Sequence, residues 1–250
     1  MSAGFLTYGC AILIGRLLLL LPLLLAAATP ARAQPWSATA SLASDYRLRG
    51  ISLNHRHAAP MLDLGYALPT GWSFGLGLAS LDRDAAGRVP LITLDASRSW
   101  QLDADWGATL GGTHWAYAGS AQRRRYDHDE LRASVQWRGL WSATLAFTPS
   151  LLSGDGYGHW YGRGSALAAE TSLRWPLGHG WALDGGIGLY GFDRPAAGIT
   201  SYVYGSAGLA WARGPLQGVI SYVDSNAHAR RLASRDDARA GWIATLSWGF

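Results

Sequence analysis

The feature that most constrains this chain is a period-two alternation of large apolar and small polar residues, repeated in about twelve segments of some ten residues each. In the last of these, Trp242, Ala244, Leu246 and Trp248 fall on one face while Thr245, Ser247 and Gly249 fall on the other. The same rhythm sets Leu131, Ala133, Val135 and Trp137 against Arg132, Ser134, Gln136 and Arg138. It also sets Leu167, Ala169, Thr171, Leu173 and Trp175 against Glu170, Ser172 and Arg174. The predicted strands cover 36–46, 58–68, 72–81, 89–99, 104–116, 128–138, 140–149, 164–175, 181–192, 200–212, 215–224 and 239–250. Each is close to the 9 to 11 residues a tilted strand needs to cross a bilayer.

The connections alternate in length. Tight turns are expected at 69–71, 100–103, 138–139, 176–180 and 213–215, and longer loops at 47–57, 82–88, 117–127, 150–163, 193–199 and 225–238. A soluble sandwich also alternates, but its wetted face carries dense charge, whereas this polar face is Gly, Ser, Thr and Ala with isolated charges. Such a face suits a lumen. Trp and Tyr recur near the strand ends, where amphipathic rings settle at a headgroup boundary. The expected fold is all-β: a transmembrane antiparallel β-barrel of about 12 strands, the one sheet that satisfies every backbone group in lipid.

The N-terminus reads as a cleaved signal peptide over residues 1–33, with the barrel domain at 34–250. Residues 17–28 are LLLLLPLLLAAA after Arg16, and Ala31-Arg32-Ala33 provides an Ala-x-Ala cleavage site before Gln34. An apolar core of this length falls short of a membrane-spanning helix. The lone cysteine, Cys10, lies in that leader, which excludes disulfide and thiolate-metal chemistry in the mature chain. All 21 basic residues are Arg against 17 acids, a formal net charge of +4 that is too mild and too evenly spread for a nucleic-acid partner.

At the C-terminus, Trp242, Leu246, Trp248 and the final Phe250 look like the closing-strand signal that outer-membrane proteins present to the barrel-assembly machinery. Near the other end, Ser44-Asp45-Tyr46-Arg47-Leu48-Arg49-Gly50-Ile51-Ser52 resembles the opening motif of the TorF-type porin family, with Leu48 where that family usually has Phe. The resemblance implies an outer-membrane barrel of porin type. The residues themselves place Asp45 inward at the top of the first strand, let the chain turn at Gly50, and allow Arg47 and Arg49 to pair with acids at the rim.

If the alternation holds, the pore-lining candidates are Asp63, Asp95, Arg132, Gln136, Arg138, Glu170, Arg174 and Asp184, with Asp103 and Asp105 beside them. Charges of both signs in a narrow low-dielectric wall can sort ions, or can pair across the barrel and plug it. His114 and Ser206 are the residues a lipid hydrolase would need, but no Gly-x-Ser-x-Gly turn accompanies them. No catalytic residues, metal site or cofactor are expected. His55 and His57 could at most grip a metal weakly. The expected function is a narrow passive channel for small polar solutes or ions in a Gram-negative outer membrane, with both termini periplasmic. The alternative is a closed barrel with a structural, adhesive or lipopolysaccharide-interacting role. Expected partners are outer-membrane lipid and lipopolysaccharide, the latter gripped by Arg123-Arg124-Arg125 and Arg230-Arg231.

Overall fold

The computed structural model describes residues 35–84, 87–118, 123–154, 160–194, 198–233 and 236–250. The expected leader therefore lies outside the described residues. Fourteen strands follow in chain order: β1 (Trp36–Ala43), β2 (Arg47–Leu48), β3 (Ile51–Ser52), β4 (Ala59–Ala67), β5 (Trp72–Asp84), β6 (Gly87–Gln101), β7 (Trp106–Tyr117), β8 (His128–Trp137), β9 (Trp141–Gly154), β10 (Trp160–Gly178), β11 (Trp181–Arg194), β12 (Gly198–Arg213), β13 (Leu216–Ser225) and β14 (Gly241–Gly249). A short helix α1 (Ala227–Leu232) precedes β14. Twelve of the strands form one closed antiparallel barrel in the order β1-β14-β13-β12-β11-β10-β9-β8-β7-β6-β5-β4, while β2 and β3 form a separate hairpin.

Closure is made by β1 against β14, with Leu42 opposite Leu246 and Ala40 opposite Trp248. No barrel edge is left with unpaired backbone groups, which is what hydrocarbon demands. Outward positions are apolar and unusually exposed: Leu110, Leu145, Ile187 and Ile220 are 56–57% exposed. Such a girdle would be an aggregation liability in water and fits a lipid-facing surface.

Two turns at the short-turn end have positive φ at successive residues, as in the primed turns whose backbone matches the right-handed twist of the flanking strands. Arg138 (φ 50) and Gly139 (φ 66) join β8 to β9, and His179 (φ 53) with Gly180 (φ 82) joins β10 to β11. Ten tryptophans, Trp36, Trp72, Trp100, Trp106, Trp137, Trp141, Trp175, Trp181, Trp211 and Trp248, face outward near this end, of 13 in the chain. They touch in pairs across strands, as with Trp181 and Trp211 at 6.3 Å or Trp106 and Trp141 at 6.0 Å between ring centroids. One rim therefore carries most of the indole belt.

Three expected loops are largely strand. β5 runs to Asp84 and β6 starts at Gly87, where 82–88 was expected to be loop. β9 and β10 extend through much of 150–163, and β11 and β12 through much of 193–199. Ladder hydrogen bonds do not need an apolar face, so pairing continues past the point where the amphipathic signal fades. At the opposite end β10 runs through Pro176 to Gly178 with a register shift, so the expected turn over 176–180 contracts to His179 and Gly180.

Leu145→Arg, on the outer face of β9, is expected to destabilise the bilayer-inserted barrel by about 2–4 kcal/mol if it lies at mid-depth, whereas Thr144→Asn in the lumen should cost under about 1 kcal/mol. Urea titration in phospholipid vesicles checks both.

Candidate functional site

The motif at 44–52 folds into the barrel. Ser44 is tied to the closing strand by its amide to the Ala244 carbonyl (2.8 Å) and by its Oγ, which accepts from the Ala244 amide (3.0 Å). Asp45, only 6% exposed, then accepts from Arg47 Nε (2.7 Å) and from Ser52 Oγ (2.6 Å). Asn54 is fully buried, and its Oδ1 accepts from the Tyr46 amide at 2.9 Å. These side chains replace the ladder a longer hairpin would have, so two residues per strand suffice for β2 and β3. Arg49 (φ 51) and Gly50 (φ 80) form the tip. A Cβ at Gly50 would overlap Ser225 Oγ and Tyr204 Cβ, so glycine is needed here for contact as well as for conformation.

The tip meets the far wall. Arg49 Nη2 donates to Glu130 Oε2 on β8 at 2.6 Å, with the two side chains 7% and 5% exposed. Its Nε lies 4.0 Å from Glu170 Oε1 on β10, and its guanidinium stands 4.8 Å from the Tyr190 ring centre on β11. Ser225 Oγ on β13 donates to the Gly50 carbonyl (3.1 Å). A segment that leaves β1 thus reaches β8 and β10, each five strands away around the ring, which amounts to crossing the lumen. Burial alone would lower the Arg49 pKa, but the Glu130 carboxylate more than offsets this and holds the guanidinium above its ordinary value.

Two apolar clusters flank the hairpin. Tyr46 and Leu53 pack on Leu81, Leu91 and Tyr117 on one side, and Ile51 packs on the cluster of Tyr202, Ala229 and Leu232 on the other. Burial, then Tyr117 and Asp63, push the Tyr46 phenol up to about 12. Beneath the loop lies a cavity of about 570 Å³, roofed by Arg47, Arg49 and Gly50 and walled by Ser142, Thr144, Glu170, Ser172, Ser206, Ser221 and Thr245. Glu170 also accepts a hydrogen bond from the Tyr204 hydroxyl.

Among the pore-lining candidates, Asp63, Asp95, Arg132, Gln136, Glu170, Arg174 and Asp184 fall on the lumenal parity of their strands, between outward apolar neighbours. Arg174 pairs with Asp184 at 2.7 Å. Arg138 does not fall there. β8 ends at Trp137, and Arg138 sits exposed in the following turn, where it pairs with Asp105 at 2.8 Å and the hydrogen bond draws the Asp105 carboxyl below its usual range. Alternation cannot be extended through a residue with positive φ. Asp103 and Asp105 likewise belong to the turn before β7, where Asp103 Oδ1 accepts from the Asp105 and Trp106 amides.

The rim pairing expected for Arg49 takes the form of a buried pair with Glu130, near the loop end of β8. The period-two reading that marks Arg132 also turns Glu130 inward; what it could not give is the partner from a loop 81 residues away. His114 faces outward on β7 and pairs with Asp129 (2.8 Å), whereas Ser206 lines the cavity, so these two are not brought together. His55 contacts Asp237 at 3.0 Å, and among the described residues no group of three metal-ligating side chains forms. Arg125 and Arg231 are exposed, while Arg230 is engaged by Asp224 at 2.7 Å.

The structure is a closed twelve-stranded antiparallel barrel, and solved outer-membrane porins share its fold. The fold is similar to that of the NanC porin, at 9% identity over 86% of this chain and 98% of that one, with a TM-score of 0.58. It is also similar to the KdgM porin (7% identity, 86% and 98% coverage, TM-score 0.50), which has in addition been solved in complex with disordered oligogalacturonate. No curated relative matches by sequence. The chain belongs to the family described as a bacterial protein of unknown function (Gcw_chp), which matches residues 27–250.

Removing one partner from the buried pair should expose the cost of the other. Arg49→Ala is expected to destabilise the folded barrel by about 3–5 kcal/mol, and Arg49→Ala/Glu130→Ala by clearly less than the sum of the two single changes. A double-mutant cycle in urea, read by tryptophan fluorescence, checks this.

Proposed function

We propose that the protein is an outer-membrane porin, a narrow passive channel for small polar solutes, with its termini and short turns on the periplasmic side. The observation that carries this reading is the cavity of about 570 Å³ with hydroxyls in its wall, inside a closed barrel and beneath a loop that folds across the lumen. Folding a loop inward is how a barrel of this width would trade conductance for selection by size and charge. The resemblance of 44–52 to the TorF-type opening motif agrees with it, and this motif is the segment that forms the constriction. The tryptophan-rich rim and the apolar outer face support outer-membrane residence and lipid contact, and the C-terminal pattern ending at Phe250 supports handling by the barrel-assembly machinery.

A second reading is favoured by the two apolar clusters beside the hairpin, which pack the loop end like a small core. In that reading the barrel is closed and acts through its loops, where exposed Arg125 and Arg231 suit lipopolysaccharide phosphates. Neutralising Arg123, Arg124, Arg125, Arg230 and Arg231 would then weaken lipopolysaccharide retention by the purified barrel.

Planar-bilayer recording of refolded residues 34–250 separates the two. The channel reading expects small, steady conductance steps from the unaltered barrel and larger steps from the charge-neutral Arg49→Ala/Glu130→Ala variant, whose loop is released. Silence from both, with heat-modifiable migration intact, would establish the closed barrel.

A further inference from the structure

The lumenal charges below the loop are unevenly compensated, and the imbalance has one sign. Arg174 is neutralised by Asp184 at 2.7 Å, and Arg47 by Asp45 at the same distance. Arg49 serves both Glu130 and Glu170, so one guanidinium answers two carboxylates. Both loop arginines are also shielded, with side chains only 5% and 7% exposed, and each is held against its carboxylate.

Asp63 and Asp95 are in the opposite situation. They lie on β4 and β6 with β5 between them, Asp63 opposite Gly77 and Asp95 opposite Gly75. A Cβ at Gly75 would overlap the Asp95 carboxylate, and one at Gly77 would touch Asp63 Oδ1, so both acids lean over the same glycine floor from either side. Two carboxylates over one floor attract a cation. Asp63 is exposed and Asp95 half-buried, and neither makes an ion pair among the described residues. Below the loop, Arg132 donates to Thr113 Oγ1 at 3.0 Å and forms no ion pair among the described residues, while the Arg56 guanidinium lies at the level of the loop, near that of Arg47. After pairing, and among the described residues below the loop, Asp63, Asp95 and one of the two glutamates stand against Arg132.

We propose that the lumen passes small cations in preference to anions, and that Asp63 and Asp95 are the residues that set this preference. The substrate class is then monovalent inorganic cations and small ammonium-bearing solutes. Carboxylates on a narrow wall backed by low-dielectric lipid raise the local concentration of cations and exclude anions, without holding any ion tightly. The inference rests on the channel reading and gives it a sign.

The test is the reversal potential of the refolded barrel in a tenfold potassium chloride gradient. It is recorded in the unaltered chain and, should that be silent, in the Arg49→Ala/Glu130→Ala background, which leaves the net lumenal charge unchanged. The expected result is permeability to potassium above that to chloride. Asp63→Asn/Asp95→Asn should lower the ratio by about twofold or more, and Arg132→Gln should raise it. Near-isosteric Asn keeps the fold, which unchanged heat-modifiable migration confirms. A ratio favouring chloride, or one unmoved by the double Asn variant, overturns the cation preference and leaves the channel standing. Silence in both backgrounds overturns the channel, and this inference with it.

Discussion

A charged side chain that crosses a lumen has to find a counter-charge on the far wall, and Arg49 does so at Glu130. Much of the interior organisation follows from that contact. Because the pair is almost fully buried, losing either partner would strand a charge away from water, so the loop is held far more firmly than its few backbone hydrogen bonds would hold it. The left-handed Arg49-Gly50 tip, the glycine that lets Ser225 and Tyr204 approach, and the Asp45-Arg47-Ser52 cluster are the means of delivering one guanidinium to that place.

The barrel makes this possible by being both closed and wide. Closure of β1 on β14 fixes the ring, so the distance the loop must cross is set by strand number rather than by the loop itself. The lumenal face is then free to be small and polar, since the hydrophobic burden is carried outward by leucines and by the indole belt. Two apolar patches near the loop end depart from that division, and they are where Tyr46, Leu53 and Ile51 dock. An inward loop thus uses apolar anchors at its sides and an ion pair at its tip, leaving a hydroxyl-lined space beneath.

The strands were legible in the sequence because a half-buried strand writes its face into every second residue. All twelve barrel strands fall where the alternation places them, and Asp63, Asp95 and Arg132 turn inward as their neighbours Leu62, Leu94 and Leu131 turn outward. Strand ends were less legible, since a ladder beyond the bilayer needs no apolar partner. Arg138 shows the same limit from the other side: the pattern runs one residue past the strand into a turn that points elsewhere. The inward fold of 44–52 was hidden for a different reason. Its decisive contacts join residues 81 and 175 positions apart, and no local periodicity encodes them. What was readable there was the turn at Gly50 and the need of two arginines for acids, but not which acids.

Amide hydrogen exchange at the loop tests the account most directly. In the refolded barrel the amides of Tyr46, Ser52 and Leu53 bond to Asn54 Oδ1, the Asp237 carbonyl and the Tyr46 carbonyl. The account predicts that these three exchange as slowly as amides in the neighbouring strands, and that Arg49→Ala strips their protection far more than that of the strands. Exchange at the rate of an unstructured loop in the unaltered protein would contradict it, since a loop that opens freely is not pinned across the lumen.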